Sequence, residues 1–320
     1  MSYIIKDFIL NINKSFCFKP EKSCYLTVVR DVLSYHEQSD KYSVEKIALL
    51  TNSLNIKHKS GIFYGYDFED KDNYNLLKHA PHMYNEVYKQ NFEDIISDAI
   101  KNKEPVICYV QAKYLQYHRV YKNADNQLHA IIIFGYDDNQ YYIYDPHIRL
   151  YDNLFDLHIG RACINDILYG IKYLVVFVNK VNNVKKVNTS ILARNQLKSY
   201  MSANGGIQAI TDYLIVQYEK IKQNFDKIYD VSIQLNYDVK INGPCYACQI
   251  IQIYNMIILD KKDAINRNKA IQDIYNEWTL LANSIVVSGL TKDLRRFEKA
   301  IGDSEQLIKK EVDIISSVLE

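Results

Sequence analysis

Apolar and polar positions follow a helical period in the first hundred residues of the chain. Between Tyr25 and Val32 the apolar side chains recur at i, i+3, i+4 and i+7, after Ser23, a residue type that caps helix N-termini well. A second helix is predicted from Ser43 to about Leu54, and a third from Asn91, as its cap, through Ile100. The chain is therefore expected to begin with helices.

The pattern changes to short apolar runs after Pro105. Strands are predicted at 106–110, 129–136, 140–145 and 173–178, with a mixed segment near 113–120. The polar cluster at 137–139 is a turn signal, so the strands on either side of it are predicted to form a hairpin, whose second strand ends at Pro146. Helices followed by antiparallel strands predict an α+β domain.

Helical periodicity returns after about residue 188. Segment 179–188 is polar, lacks aromatic residues and is charged at its centre, so we interpret it as a linker between domains at 1–182 and 188–320. Helices are predicted at about 190–202, 206–229, 244–259, 263–288 and 291–319, with breaks at Gly205-Gly206, Gly243-Pro244 and Gly289. The second domain is predicted to be a helical bundle.

Composition narrows the class of protein. The 320 residues are 48% apolar and 24% charged, which excludes wholesale disorder, a collagen-like repeat and a coiled-coil rod. With 39 basic and 38 acidic residues, the net charge of +1 gives no electrostatic reason to expect nucleic acid or a membrane as partner. No apolar run approaches the roughly 18 residues that span a bilayer, and Asp7 interrupts the apolar start, so a cytoplasmic protein is expected.

The cysteines are expected to be reduced thiols, because no export signal is seen and the chain is long enough to bury a core. They are Cys17, Cys24, Cys108, Cys163, Cys245 and Cys248. Cys108 lies in a predicted strand and Cys163 in a predicted helix, and both are interpreted as packing residues.

Cys24 differs from the others because it lies at the predicted start of the first helix. Backbone N–H groups and the helix dipole favour a thiolate there, and an adjacent imidazolium would favour it further. His129 opens the strand at 129–136, and Asp145 lies sixteen positions later in the next strand of the predicted hairpin. Folding that hairpin brings His129 and Asp145 to the same end of neighbouring strands, although the strand period alone does not place them on one face.

Each of these three signals alone is more often structural than catalytic. Their order and context together favour a catalytic triad in which a cysteine nucleophile, a histidine base and an orienting aspartate act in sequence. This order, with a cysteine at a helix start and then His and Asp on neighbouring strands, is typical of papain-like enzymes.

The resemblance is carried by two segments of the first domain, 22–37 (KSCYLTVVRDVLSYHE) and 128–146 (LHAIIIFGYDDNQYYIYDP). They resemble the nucleophile helix and the His/Asp hairpin of papain-like cysteine peptidases, particularly the bacterial branch that processes leader peptides. A closer resemblance is to the butirosin biosynthesis protein H family, which pairs such a domain with a helical half. Segments 242–255 and 274–286, the latter with Trp278, are similar to that helical half.

This resemblance implies acyl transfer in nonribosomal or polythioamide (closthioamide-type) antibiotic biosynthesis. An acyl group passes from the phosphopantetheine thioester of an acyl or peptidyl carrier protein to Cys24, and a small-molecule amine captures it as an amide. His129 is then the general base and acid and Asp145 the orienting group. No metal and no other cofactor is implied.

One feature departs from the peptidase pattern. Papain-like peptidases place a Gln shortly before the nucleophile as an oxyanion donor, but the first Gln of this chain is Gln38. The Cys24 backbone N–H can supply one donor, and Asn11 and Asn13 are weak candidates for the second. Two alternatives stay open: a peptidase or thioesterase that uses the same residues, and a non-catalytic binding protein on an inherited scaffold.

Other candidate motifs have a structural interpretation that we favour. A single CxxC at Cys245 and Cys248 is poor evidence for a redox or zinc site, since both side chains share one helix face. His79 and His82 lack ligands at metal-binding spacing, and His118 and His147 are interpreted as ordinary exposed histidines that could also contact substrate. The remaining candidates are two basic pairs that could dock an acidic carrier protein, Arg295-Arg296 and Lys309-Lys310.

Overall fold

The computed structural model describes the larger part of the chain, in two compact units. The described residues are 2–10, 23–36, 44–50, 52–54, 56–59, 62–64, 89–123, 128–151, 154–176, 188–202 and 206–320. The first unit consists of Met1–Ile47 with Phe68–Lys185, and the second of Ala48–Asp67 with Lys186–Glu320. The sequence prediction had assigned Ala48–Asp67 to the first domain.

The secondary structure of the described residues is strand-rich before residue 176 and helical after residue 188. The strands are β1 (Tyr3–Ile4), β2 (Lys57–Lys59), β3 (Ile62–Tyr64), β4 (Val106–Gln111), β5 (Leu128–Tyr136), β6 (Gln140–Tyr151), β7 (Leu154–Cys163) and β8 (Ile171–Val176). The α-helices are α1 (Cys24–Tyr35), α2 (Val44–Leu50), α3 (Lys89–Lys101), α4 (Ile164–Gly170), α5 (Thr189–Tyr200), α6 (Gln208–Gln223), α7 (Ile228–Tyr237), α8 (Pro244–Ile258), α9 (Lys261–Thr291) and α10 (Leu294–Leu319).

An antiparallel sheet organises the first unit. Among the described residues, six strands form this sheet in the order β7-β6-β5-β4-β8, with β1 paired to β5. The hairpin of β5 and β6 turns at Asp137, whose N–H donates to the Gln140 carbonyl and whose carboxylate accepts from the Asn139 N–H. Helices and an antiparallel sheet in one unit confirm the predicted papain-like α+β class, with a helical region after residue 188.

Helix α1 packs on β5 and β6 through an apolar face. Its buried apolar residues include Leu26, Val28 and Val29, each fully shielded from solvent. The Ser23 hydroxyl caps the helix by accepting from the Leu26 N–H at 3.1 Å. The predicted first helix and its cap are therefore confirmed, and the first residue of the helix is Cys24.

The β6 strand corrects one boundary predicted from the sequence. It continues through Pro146 to Tyr151 instead of ending after Asp145. In the β6–β7 pairing, Asp145 lies opposite His158 and Ile148 opposite Asp156, so one extra residue of β6 bulges out between these pairs. Because the β6–β7 pairing is interrupted at this bulge, proline, which has no N–H, removes no ladder hydrogen bond to β7 there.

Two other boundaries in the first unit were wrong. Helix α3 begins at Lys89, so Asn91 lies inside it and is not its cap. The segment up to Cys163 is strand β7, which alternates between exposed and half-buried positions, and Cys163 is exposed at its end instead of packed in a helix. The alternation belongs to a strand with one solvated face, which has no continuous apolar run to mark it.

The second unit is helical, as predicted, with a break that the sequence did not indicate. The predicted helix at 206–229 ends at Gln223, and a separate helix, α7, follows and leads into a π-helical turn at Asp238–Asn242. Gly289 lies within α9 and does not end it. A glycine is needed there because α9 and α7 approach so closely that a Cβ would lie 2.6 Å from Ser232 Cβ.

A buried carboxylate ties three helices of the second unit together. Glu311 of α10 accepts from the Tyr200 hydroxyl at 2.8 Å and from Trp278 Nε1 at 3.1 Å. All three side chains are almost fully shielded from solvent. Burial raises the pKa of the Glu311 carboxyl to about 7, although both hydrogen bonds oppose that rise.

The segment that begins at Ala48 is hydrogen-bonded into the second unit. The Gln196 amide donates to the Leu49 carbonyl at 2.8 Å, and the Tyr254 hydroxyl lies 3.2 Å from the Ala48 carbonyl. The Gly206 N–H donates to the Ile56 carbonyl at 3.2 Å. None of the described helices is both long and apolar enough to cross a membrane.

Candidate active site

Cys24 occupies the first position of α1 and is half-buried. The first N–H groups of an α-helix have no acceptor within the helix, and the Ser23 hydroxyl takes only that of Leu26. The Cys24 N–H is therefore one of the N–H groups without an intrahelical acceptor, and it lies at the positive end of the helix dipole. This position suits an anion, either a thiolate or a developing oxyanion.

His129 and Asp145 lie on neighbouring strands and face the same side of the sheet. Ile132 pairs with Tyr144, so continuing this register places Asp145 opposite Ile131, diagonal to His129. His129 Nε2 is 2.8 Å from Asp145 Oδ1. The structure thus answers the question of side-chain direction that the strand period left open.

The imidazole of His129 also interacts electrostatically with Cys24, the nucleophile candidate. Burial alone would lower the pKa of His129, but the Asp145 charge, its hydrogen bond to Asp145 and a hydrogen bond to the Cys24 side chain raise that pKa to about 10. Because Nε2 is bonded to Asp145, Nδ1 is the ring nitrogen left to exchange a proton with Cys24. The structure therefore brings Cys24, His129 and Asp145 close together: His129 is hydrogen-bonded to Asp145 and interacts electrostatically with Cys24.

Asp145 is completely buried and is nevertheless held as a carboxylate. Burial raises the pKa of Asp145, but the charge and hydrogen bond of His129 and hydrogen bonds from Tyr121 and Tyr117 outweigh burial and lower it. The Tyr117 and Tyr121 hydroxyls lie 2.8 Å and 2.7 Å from Oδ2. The His147 N–H lies 3.2 Å from Oδ1, so both carboxylate oxygens have donors.

Tyr117 and Tyr121 were missed by the sequence analysis. They lie in the segment between β4 and β5, where short 3₁₀ turns cover Ala112–Tyr114 and Arg119–Asn123. Such turns have neither the strand period nor the helix period, so the pattern gave only a mixed segment. Two tyrosines four residues apart beside a predicted triad are the signal that could have pointed to them.

The other histidines near the site have partners of their own. His118 Nε2 lies 3.4 Å from an Asp156 carboxylate oxygen. His147 is buried, contrary to the expectation of an exposed residue, and its ring packs against Phe155 with centroids 4.6 Å apart. His158, opposite Asp145 in β7, stacks on Tyr117 with centroids 4.3 Å apart.

Several candidates from the sequence lie elsewhere. Asn11, Asn13, Cys17, His79 and His82 fall outside the described residues. Cys108, Cys245 and Cys248 are buried, as the packing interpretation predicted. No group of three His, Cys, Asp or Glu side chains within the described segments could hold a metal ion.

The basic pairs proposed for carrier docking lie on exposed positions of α10. Lys310 is engaged in an ion pair with Glu277, in which Nζ lies 2.6 Å from a carboxylate oxygen. The backbone N–H groups of Arg295 and Arg296 donate to Asp293, which caps the helix. These contacts are typical of a solvated helix face, and no partner protein is needed to explain them.

The assembled site can perform nucleophilic acyl chemistry. An imidazolium beside a thiolate is the resting form that cysteine acyl enzymes use, and a raised His129 pKa favours the protonated ring. Asp145 stabilises that positive charge and fixes the ring orientation. The helix start supplies one backbone donor for the oxyanion of a tetrahedral intermediate.

Comparison with known proteins agrees with this geometry. Residues 9–154 match the model of the Peptidase_C39 like family, and this range contains Cys24, His129 and Asp145. The comparison with curated proteins gave no match. Residues 9–154 are thus similar to a family related to the papain-like cysteine proteases, which supports a cysteine-protease-like scaffold for this part of the chain.

Proposed function

We propose that the protein is an acyltransferase that forms amides through an acyl-cysteine at Cys24. The donor is a thioester on the phosphopantetheine of an acyl or peptidyl carrier protein, and the acceptor is a small-molecule amine of an antibiotic pathway. The observation that carries the proposal is the grouping of Cys24 at the start of α1 with His129, which interacts with Cys24 and is hydrogen-bonded to a buried, ionised Asp145.

The reaction follows from the roles of these three groups. The Cys24 thiolate attacks the thioester carbonyl, a new carbon–sulfur bond forms, and the pantetheine thiolate leaves and takes a proton from His129. The amine then attacks the acyl-cysteine, His129 accepts the proton that the amine nitrogen loses, and Cys24 leaves as thiolate. Asp145 remains ionised throughout and stabilises the imidazolium.

The oxyanion donors favour a thioester over a peptide bond as substrate. No Gln precedes Cys24 in the chain, so the usual side-chain donor of papain-like peptidases is missing. Losing one such donor typically costs about 10²–10³ in rate. A thioester is already activated, and its exchange with a thiolate is nearly isoenergetic, so it tolerates this loss better than an amide does.

Hydrolysis is the second candidate, and the match to the Peptidase_C39 like family favours it. A peptidase or a thioesterase would use the same three residues and differ only in water replacing the amine. The two functions therefore separate by product, not by site.

The test is to incubate the protein with an acyl-pantetheine thioester, with and without a panel of amines, and to identify products by mass spectrometry. We expect amide in the presence of an accepted amine, and an acyl-enzyme in its absence. Cys24→Ala should abolish both, whereas Cys163→Ala, which changes an exposed cysteine, should leave both unchanged.

Two results would contradict the proposal. Free acid as the sole product, whichever amine is offered, identifies a hydrolase. A Cys24 that reacts with iodoacetamide no faster than a model thiol, and forms no acyl-enzyme, identifies a non-catalytic binding protein.

A further inference from the structure

Asp145 Oδ2, the carboxylate oxygen that does not face His129, accepts hydrogen bonds from two tyrosine hydroxyls of one short segment. Tyr117 and Tyr121 both donate to Oδ2, while Oδ1 faces His129 Nε2. A carboxylate with no solvent exposure must have such donors, because an unpaired buried charge is costly. A catalytic carboxylate needs its donors at fixed positions as well, because their arrangement decides which lone pair faces the imidazole.

We propose that Tyr117 and Tyr121 are positioning residues of the reaction, which hold Asp145 ionised and keep its Oδ1 aimed at His129. The inference rests on the proposed function for the roles of His129 and Asp145. It assigns the two tyrosines no contact with substrate.

The tyrosines are themselves fixed by ring packing. The Tyr121 ring lies 5.1 Å from the His129 ring, centroid to centroid, and meets the Tyr117 ring edge-on at 5.8 Å. Tyr117 stacks on His158 at 4.3 Å. Each tyrosine ring therefore packs against a different histidine, Tyr121 against His129 and Tyr117 against His158, so the two hydroxyls are positioned before any substrate binds.

Both phenols stay protonated, and so remain donors, throughout the neutral range. Burial, followed by the Asp145 charge, raises the pKa of Tyr117 and of Tyr121 far above the ordinary value for tyrosine. A phenol that kept its proton less firmly could not act as a constant donor to a carboxylate.

Other titratable groups also surround Asp145, and they bear on its pH dependence. His129 and Tyr144 act on it from the hairpin and His158 from β7, in addition to Tyr117 and Tyr121. The tyrosines are the donors that can be removed singly without adding or deleting a charge. Their removal therefore isolates the effect of the hydrogen bonds on Asp145.

The experiment measures the rate of Cys24 alkylation by iodoacetamide from pH 2.5 to pH 8 in the wild type, Tyr117→Phe, Tyr121→Phe and the double variant. Peptide mass spectrometry follows Cys24 alone. The hydrogen bonds lower the Asp145 pKa, so their loss raises it and Asp145 becomes protonated at a higher pH. Protonated Asp145 no longer stabilises the His129 imidazolium that favours the Cys24 thiolate, so alkylation slows at that pH. A hydrogen bond to a charged group is worth about tenfold in an equilibrium constant, so each single variant should move the acid limb of the rate profile up by roughly one pH unit.

The double variant should move the acid limb further than either single variant and slow thioester turnover more than tenfold. The matched control is Tyr213→Phe, which removes a hydroxyl at 2.6 Å from the buried Asp238 in the second unit. It loses a bond of the same chemistry and should leave the profile unchanged. If the double variant fails to fold, the single variants decide the outcome, since each retains one donor.

An acid limb that stays in place in folded single variants overturns the inference. This outcome is distinct from failure of the proposed function. A shifted alkylation profile in a protein that makes no amide keeps the tyrosines as positioning residues of a different cysteine reaction, whereas amide formation with an unshifted profile removes only the tyrosines.

Discussion

His129 and Asp145 are joined diagonally across the β5–β6 hairpin, with Nε2 and Oδ1 2.8 Å apart. The hairpin brings the two side chains within hydrogen-bond distance, so Nε2 is engaged by Asp145 and Nδ1 is the ring nitrogen left for proton exchange with Cys24. The hydrogen bond to Asp145 thereby fixes the tautomer that the site can use.

Asp145→Asn should keep the fold and lower kcat/KM by on the order of 10³–10⁴, in line with the loss that this change causes in other triads. The two tyrosine hydroxyls donate to Oδ2, so the amide should place its carbonyl oxygen there and its NH₂ toward His129 Nε2. Nε2 must then accept, and the proton moves to Nδ1, where it blocks proton uptake from Cys24. Steady-state kinetics with an acyl thioester measure the loss.

The control for this variant is Asp138→Asn, the same substitution in the exposed turn of the same hairpin. It should retain wild-type kinetics. A wild-type rate for Asp145→Asn, with a normal circular dichroism spectrum, would remove Asp145 from the reaction.

The regular elements of the first unit could be predicted where a period or a turn signal marked them. Helix α1 with its Ser23 cap and the hairpin turn at 137–139 are confirmed, and with them the neighbourhood of His129 and Asp145. The catalytic roles of these residues stay a prediction. The bulge after Asp145 could not be predicted, because Pro146 reads as a strand end unless the pairing strand is known.

The donors to Asp145 could not be predicted for a different reason. Tyr117 lies outside any regular element and Tyr121 lies in a short 3₁₀ turn, and both act through contacts that span 28 and 24 residues. Local pattern carries no information about such contacts. In the second unit, the close approach at Gly289 was hidden in the same way, because it is set by a neighbouring helix.

Glu311→Gln should change how the stability of the second unit depends on pH. The pKa of Glu311 is raised to about 7 in the folded protein, so between pH 4.5 and 7 the folded state keeps a proton that the unfolded state has released. Wild-type stability therefore falls as pH rises through this window, by up to roughly 3 kcal/mol from this group, and the variant should lack that contribution. Urea unfolding at pH 5 and pH 8, followed by Trp278 fluorescence, measures it.

Trp278 is the single tryptophan of the chain and donates to Glu311, so its fluorescence reports this unit directly. Asp238 also has a pKa raised to about 7 by burial, so only the difference between variant and wild type is compared. Glu277→Gln, at an exposed ion pair, is the matched control and should follow the wild-type slope. Equal slopes for Glu311→Gln and wild type would refute the assigned shift.

Gly289→Ala and Gly302→Ala should have opposite effects on stability. A Cβ at Gly289 lies 2.6 Å from Ser232 Cβ and 3.2 Å from the Ile228 carbonyl oxygen, so α9 and α7 must separate, at a cost of about 1–3 kcal/mol. A Cβ at Gly302 meets nothing within 4 Å, so alanine should stabilise α10 by about 0.5–1 kcal/mol. Thermal unfolding compares the two variants, and a neutral Gly289→Ala would contradict the close helix approach.

The chain enters the second unit at Ala48, leaves it after Asp67, and returns only at Lys186. Expressing the C-terminal region alone would therefore strip Gln196 and Tyr254 of their backbone acceptors at Leu49 and Ala48. During synthesis, the early segment must wait for more than a hundred residues before its partners emerge from the ribosome. A chimera that exchanges the second unit between relatives must therefore exchange segment Ala48–Asp67 together with Lys186–Glu320.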